Sequence, residues 1–163
     1  MTGIAINRNL LETTAKKGAE TPRGRTNFNF HQSADDLVQR MLNAIEPGSY
    51  VQPHRHLDPP KAEAFLCLKG RGVVIFFDDS GEAVQFFPLD PASLDYGVEV
   101  PVGTWHAILS FEPGSVYYEV KHGPYVKISD KDFAPWAPAE GDPEMAAYQK
   151  HLEKISRQAL GWE

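Results

Sequence analysis

Short apolar runs alternate with turn signals through most of the chain, from residue 26 to residue 121. The runs are rich in β-branched and aromatic residues, and they are separated by glycine- and proline-containing turns. Because no long helical period interrupts them, a parallel βαβ sheet is not expected. The pattern predicts an all-β sandwich or barrel. Its strands are predicted at Thr26–Phe30, Val38–Glu46, Tyr50–Pro53, Glu63–Leu68, Val73–Asp78, Ala83–Phe87, Gly97–Val100, Trp105–Phe111 and Val116–Lys121.

The two ends of the chain are predicted to lie outside the barrel. We expect an N-terminal arm (1–25) with a short helix near Leu10, the barrel (26–121), and a Pro-rich loop followed by a helix (122–163). In that helix, Asp142 is a suitable cap, Pro143 suits the first position and Gly161 can end it. An apolar stripe predicts that the helix packs on the barrel, with binding of a partner protein as the alternative. The stripe comprises Met145, Tyr148, Leu152, Ile155 and Ala159.

Composition narrows the functional class. The 163 residues suffice for one domain with a substantial core. A net charge of −6 argues against nucleic acid as a partner, because phosphate binding requires a basic surface. No apolar run approaches the roughly 20 residues of a membrane helix, and the N-terminus lacks a secretory signal pattern. A single cysteine, Cys67, excludes an internal disulfide, so we expect a cytoplasmic protein without membrane contact.

Two histidines separated by one residue are the first candidates for chemistry. His54 and His56 fall in an extended segment, where alternate side chains share a face. Both imidazoles therefore point the same way and form half of a metal chelate. By the same parity, Tyr50 and Gln52 are expected on that face as part of a pocket, and Arg55 on the opposite face.

A carboxylate and a third histidine can complete the chelate. Glu63 opens a predicted strand, and a buried carboxylate is costly unless a cation compensates it. His106 follows a Pro-Val-Gly turn and enters another strand. Because these side chains come from separate strands, they converge only if the sheet curls into a barrel. Three imidazoles and one carboxylate suit one divalent Fe, Mn, Ni or Zn ion.

Further polar residues are candidates for binding a small-molecule substrate. Asn29 and His31 alternate with two phenylalanines, so they belong either to a surface strand or to a polar strip facing the pocket. Three basic residues are either solvated surface charges or a rim that binds a carboxylate or sugar phosphate. They are Arg23, Arg25 and Lys61. The pattern determines no general base, and the catalytic candidates are His31, Tyr50 and Lys61.

The spacing of these residues resembles the cupin superfamily, whose two motifs read G-x5-H-x-H-x(3,4)-E-x6-G and G-x5-P-x-G-x2-H-x3-N. The corresponding segments here are Gly48-x5-His54-x-His56, Glu63-x6-Gly70 and Pro101-x-Gly103-x2-His106. The resemblance implies a cupin barrel, which is a double-stranded β-helix or jelly roll. It also implies a metal held by His54, His56, Glu63 and His106.

Three positions depart from the cupin motifs. Six residues separate His56 from Glu63, Asp95 replaces a glycine, and Ser110 replaces an asparagine. The long spacer makes Asp58 an alternative to Glu63 as the acidic ligand. We favour Glu63 because it keeps the spacing to the motif glycine and opens a strand.

Longer stretches resemble the WbuC family of cupin-fold metalloproteins over about residues 20–150. They are Thr-Pro-Arg-Gly-Arg-Thr-Asn-Phe-Asn-Phe-His31, Val38-Gln-Arg-Met-Leu-Asn-Ala-Ile-Glu-Pro-Gly48, His-Arg-His-x-Asp-Pro-Pro-Lys61 and Phe-Ala-Pro-Trp-Ala-Pro138. The family is linked by name to bacterial surface-polysaccharide loci, and cupins often pair as homodimers through their sheets. The resemblance thus implies a metal-dependent isomerase, epimerase or dioxygenase acting on a sugar or organic acid. The alternative is a non-catalytic module that binds a metal and a sugar.

Overall fold

The computed structural model describes residues 3–125 and 131–162. Within these ranges the strands form two five-stranded antiparallel sheets. The first sheet has the order β1-β2-β9-β4-β7 and the second has the order β10-β3-β8-β5-β6. Their bounds are β1 (Arg25–Asn29), β2 (Val38–Ile45), β3 (His54–Arg55), β4 (Glu63–Lys69), β5 (Gly72–Phe77), β6 (Ala83–Leu89), β7 (Gly97–Val100), β8 (Trp105–Ser110), β9 (Ser115–His122) and β10 (Asp132–Phe133).

The two sheets face each other and form the predicted all-β jelly roll. Eight of the nine predicted strands overlap an observed strand. The exception is Tyr50–Pro53, which lies just before the two-residue strand β3. That segment does not pair as a strand, and Pro53 has no N–H to donate to a neighbouring strand. Strand β10 was not predicted, since an Asp-Phe pair carries no alternation.

The space between the sheets is apolar over part of its length. Buried side chains from both sheets interdigitate there and exclude water, which stabilises the barrel. A hydrogen bond between the hydroxyls of Ser110 and Tyr117, at 2.8 Å, satisfies two polar groups inside this core. The core residues are Ile45, Phe65, Cys67, Val74, Phe76, Leu89, Val100, Ile108 and Tyr117.

Helix α1 (Arg8–Ala19) covers the outer face of the first sheet and is longer than the predicted helix at Leu10. Asn7 caps it by accepting a hydrogen bond from the Leu10 N–H at 3.0 Å. Ala15 packs on Leu42 and Val116 of the sheet. Gly18 allows the close approach, because a Cβ at that position would lie 3.1 Å from the Ala44 Cβ. The arm is therefore anchored by an apolar face.

Helix α2 (Met145–Leu160) covers the outer face of the second sheet, with Leu152 buried in that interface. It begins later than predicted: Asp142 accepts the Glu144 N–H at 2.9 Å in a turn that precedes the helix. The prediction of its end was right, since Gly161 adopts a left-handed conformation with φ of 64°. Neither helix is long and apolar enough to span a membrane, within the ranges that the structure covers.

Candidate metal centre

The three candidate histidines come together because strand β3 pairs with strand β8. His54 in β3 lies directly opposite His106 in β8, and their ring centroids are 4.4 Å apart. His56 follows β3 immediately, and its ring centroid lies 5.3 Å from that of His54. All three are at least 96% buried, with exposures of 4%, 3% and 1% for His54, His56 and His106. The barrel therefore places three imidazoles in one buried location.

Backbone carbonyls fix the orientation of two of these rings. Nδ1 of His54 lies 2.9 Å from the carbonyl oxygen of Gln52, and Nδ1 of His106 lies 2.9 Å from that of Thr104. A carbonyl can only accept, so both Nδ1 atoms carry the proton in this arrangement. A neutral imidazole of this tautomer presents an Nε2 lone pair, which is what a metal ion binds.

Glu63 completes the cluster from the first residue of β4. Its Oε1 atom lies 2.5 Å from Nε2 of His106 and 3.6 Å from Nε2 of His56. One ligand atom from each of the four residues lies within 4.8 Å of the other three. At the 2.5 Å between Glu63 and His106, oxygen and nitrogen lone pairs repel unless a proton or a metal cation lies between them. The buried group can therefore hold a metal ion, and its donors fit a divalent cation of the transition series.

The ionisation of the cluster also suits a cation. Burial lowers the pKa of His54 well below its ordinary value, and Lys131 and His106 lower it further. Burial alone would raise the pKa of Glu63, but the charge and the hydrogen bond of a protonated His106 hold it well below its usual range. A metal cation bound at Nε2 would take the place of that proton. At neutral pH, His54 is thus neutral and Glu63 is a carboxylate, which are the forms that bind metals.

A glycine turn positions the last ligand. Gly103 has a φ of +75°, which glycine adopts without the clash of a Cβ. Its N–H donates a hydrogen bond to the carbonyl of His56 at 3.1 Å. The turn that leads into His106 is thereby joined to the segment that carries His56. The second motif therefore supplies His106 to the cluster, and its turn is hydrogen-bonded to the first motif.

A cavity of about 880 Å³ opens beside the cluster, and both His54 and Glu63 line it. Its wall is polar and apolar in about equal parts, in contrast to the apolar core. Six side-chain amides contribute to the polar part: Asn27, Asn29, Gln32, Gln39, Asn43 and Gln52. Charged groups also line the described wall: Arg23, Arg25, Lys121, Lys131, Glu119 and Glu140. The polar part of this wall suits a small ligand that carries hydroxyl or charged groups.

The structure places several predicted pocket residues on this wall. Asn29, His31 and Gln52 line the cavity. Nδ1 of His31 lies 2.9 Å from the carbonyl oxygen of Arg40. Arg23 and Arg25 also line the cavity, and both form ion pairs with Glu140. Nη2 of Arg25 lies 2.9 Å from Oε2 of Glu140. Two of the three residues of the predicted basic rim, Arg23 and Arg25, therefore line the cavity.

Three other predicted residues lie elsewhere. Tyr50 does not line the cavity, because its phenol donates a hydrogen bond to the Pro138 carbonyl at 2.7 Å. Lys61 does not line the cavity either: it is 2% exposed, and its Nζ donates to the Pro124 carbonyl at 2.6 Å. Asp58, the alternative acidic ligand, is exposed and outside the cluster. The placements of Tyr50 and Lys61 in a pocket were wrong because the chain preceding β3 and Glu63 is irregular.

Strand β9 supplies cavity residues that the sequence analysis missed. Glu119 and Lys121 alternate with Val120 and point inward, where both are only 7% exposed. The alternation itself was visible as Ser-Val-Tyr-Tyr-Glu-Val-Lys. The pattern alone does not tell which of the two faces is the interior one. In the structure that apolar side of the strand is the outer one, and α1 packs against part of it.

Comparison with solved structures finds proteins with a similar fold. The capsular polysaccharide assembling protein CapF from Staphylococcus aureus superposes with a TM-score of 0.54 at 23% identity, over 64% of this chain and 28% of that chain. A cupin 2 domain-containing protein from Halorhodospira halophila gives a TM-score of 0.47 at 16% identity, over 80% and 79% of the two chains. The chain thus spans less than a third of the length of CapF.

Comparisons of sequence identify a family. No curated protein matches the chain. One family model does match, and it covers residues 6–89, which include the first three predicted ligands and half of the chain. The chain therefore belongs to the family described as a domain of unknown function, DUF6016.

Proposed function

We propose that this chain is a metal-binding cupin of the WbuC family that acts as a metal-dependent enzyme on a sugar or an organic acid. The observation that carries the proposal is the buried cluster of three histidines and one glutamate beside a partly polar cavity. A buried carboxylate and three imidazoles cost stability unless a ligand compensates them. Their convergence next to a cavity is accounted for by a cation that contacts a small molecule.

The residues have distinct roles in this proposal. His54, His56, Glu63 and His106 would hold one divalent ion, and Nδ1 of His54 and of His106 keep their rings oriented through backbone carbonyls. A bound Fe, Mn, Ni or Zn ion supplies Lewis-acid polarisation of a ligand oxygen. The amides of the wall orient hydroxyl groups. His31 is the proton-accepting candidate, since its ring lines the cavity.

The sugar class is supported by the chemistry of the wall and by one fold relative. Six amide side chains around one cavity match a ligand with several hydroxyl groups. The Staphylococcus aureus relative is described as a capsular polysaccharide assembling protein, and the WbuC resemblance implies the same area of metabolism. Isomerisation, epimerisation and dioxygenation remain the reaction classes within the proposal.

Metal content is the direct test. The protein is purified without added metal, dialysed, and analysed for elements beside His54→Ala and His106→Ala. His151→Ala, an exposed histidine on α2, serves as the matched control. We expect about one equivalent of a single transition metal in the parent and the control, and less than a tenth of that in the other two variants.

Two results would contradict the proposal. One is a parent that retains no metal after incubation with Fe, Mn, Ni or Zn. The other is undiminished metal in both His54→Ala and His106→Ala while the variants remain folded by circular dichroism. Oxygen uptake with iron-loaded protein, and isomer formation from sugars, then distinguish the reaction classes from simple ligand binding.

A further inference from the structure

A buried pair of opposite charges lies in the cavity wall on β9. Nζ of Lys121 is 3.5 Å from Oε1 of Glu119. The other carboxylate oxygen of Glu119 accepts a hydrogen bond from the side-chain amide of Asn43 on β2. Both charged side chains are less than a tenth exposed, at 6% for Lys121 and 9% for Glu119. Glu119 is thus held at both oxygens and fixes the position of the ammonium group.

Stability gives no sufficient reason for this pair. Removing two ions from water costs several kcal/mol each, and mutual attraction usually does no more than offset that cost. A pair of apolar residues would serve the barrel as well. Charged residues that are buried in the wall of a cavity are instead characteristic of sites that bind a ligand.

The register of the sheet brings Lys121 next to the candidate metal centre. Lys121 on β9 lies directly opposite Glu63 on β4. Residues opposite each other in an antiparallel pair share a face, with Cβ atoms about 5 Å apart. The ammonium group and the metal ligand therefore line the same cavity from adjacent strands. A small ligand in contact with a metal at Glu63 is within reach of the Lys121 side chain.

The charge of the cavity opposes that of the protein. Along the described part of its wall, four cationic side chains (Arg23, Arg25, Lys121 and Lys131) meet three carboxylates. The chain as a whole carries a net charge of −6. A divalent ion would make the cavity more positive still. Such a local excess of positive charge in an acidic protein concentrates anions there.

We propose that Lys121, positioned by Glu119, binds the anionic group of the ligand, so that the substrate is a polyhydroxylated molecule with a carboxylate or phosphate. The inference rests on the proposed function, because it concerns the ligand of the same metal site. Lys121 contributes charge recognition at the ligand, and Glu119 is a positioning residue. The amide groups of the wall receive the hydroxyls.

Three matched probes test the proposal by calorimetric titration of the manganese-loaded full chain. D-glucuronate, D-glucose 6-phosphate and D-glucose share a ring and differ at one carbon in charge. We expect one of the two anions to bind at least tenfold more tightly than glucose. Lys121→Met should weaken that binding tenfold or more and leave glucose binding within twofold. Lys154→Met, an exposed lysine on α2, should behave as the parent.

The outcomes separate the two proposals. Three results would overturn the anion-binding role of Lys121. The parent binds glucose as tightly as both anions, it binds neither anion, or the folded Lys121→Met variant binds the anion as tightly as the parent does. If Lys121→Met does not fold, the double variant with Glu119→Gln removes both charges and gives the same comparison. Metal content is measured on the same samples. A parent without metal contradicts the proposed metal site alone, and the probe series on the metal-free chain then decides the role of Lys121.

Discussion

Replacing Glu63 with glutamine is the sharpest perturbation of the candidate site, because it keeps the shape and removes one charge. Oε1 of Glu63 lies between Nε2 of His106 and Nε2 of His56, at 2.5 and 3.6 Å. It is the only anion in the described four-residue cluster. Without it, a divalent cation would be held in a buried place by neutral ligands alone, which raises its desolvation cost.

The size of the effect follows from linkage between binding and folding. With metal at about 1,000 times its Kd, binding stabilises the folded chain by about 4.1 kcal/mol. Loss of residues that merely orient a metal ligand weakens binding by about 10- to 100-fold, so we take about 100-fold for Glu63→Gln. At the same metal concentration the stabilisation then falls to about 1.4 kcal/mol. For a chain of this size, Tm changes by about 2 to 4 °C per kcal/mol.

The assay is thermal unfolding with and without metal. The parent should gain about 8 to 16 °C on adding metal, and Glu63→Gln only about 3 to 6 °C. Glu99→Gln is the matched control, because Glu99 is an exposed residue of the neighbouring strand β7. It should retain the parent's full gain. A Glu63→Gln variant with an undiminished gain would refute the assignment of Glu63 as a ligand.

Two further predictions concern the core and the helix on it. Burial raises the pKa of Cys67 from 9.0 to about 12, so the folded state holds the thiol proton more tightly than the unfolded state. The free energy of unfolding should therefore fall between pH 9 and 12, by at most about 1.4 kcal/mol per pH unit from this group. A Cys67→Ala variant should show a flatter slope in alkaline urea titrations, and an identical slope would contradict the shift. Leu152→Ala, at a position 1% exposed under α2, should cost about 2 to 5 kcal/mol in urea unfolding. A decrease in the free energy of unfolding below about 1 kcal/mol would mean that Leu152 of α2 is not tightly packed against the second sheet.

Local patterns were sufficient for most of the fold. Apolar runs bounded by Gly and Pro turns located eight strands, since alternation and turn chemistry act over a few residues. Gly161 ended α2 as expected, for the same reason. The spacing of His54, His56 and His106 was also informative, because an extended segment and a tight turn each constrain where a side chain points.

Irregular segments were not predictable in this way. Tyr50 was expected in the pocket by strand parity, and Lys61 was a candidate for its basic rim, but neither residue lies in a strand. Their polar ends bond to carbonyls of Pro138 and Pro124, which lie about 60 to 90 residues further along the chain. No local pattern encodes a contact of that kind, since it exists only after the C-terminal segment has packed on the barrel.

The sequence by itself determined the barrel and singled out the three histidines of the cluster, with Glu63 favoured over Asp58 as the acidic member, because periodicity, turn residues and motif spacing are properties of short segments. Tertiary structure decided which face of β9 lines the cavity. There, α1 packs against part of the outer surface of the first sheet, and the polar side with Glu119 and Lys121 becomes the inner one. Which side of a strand is interior depends on what packs against it, and that is fixed by contacts between distant parts of the chain.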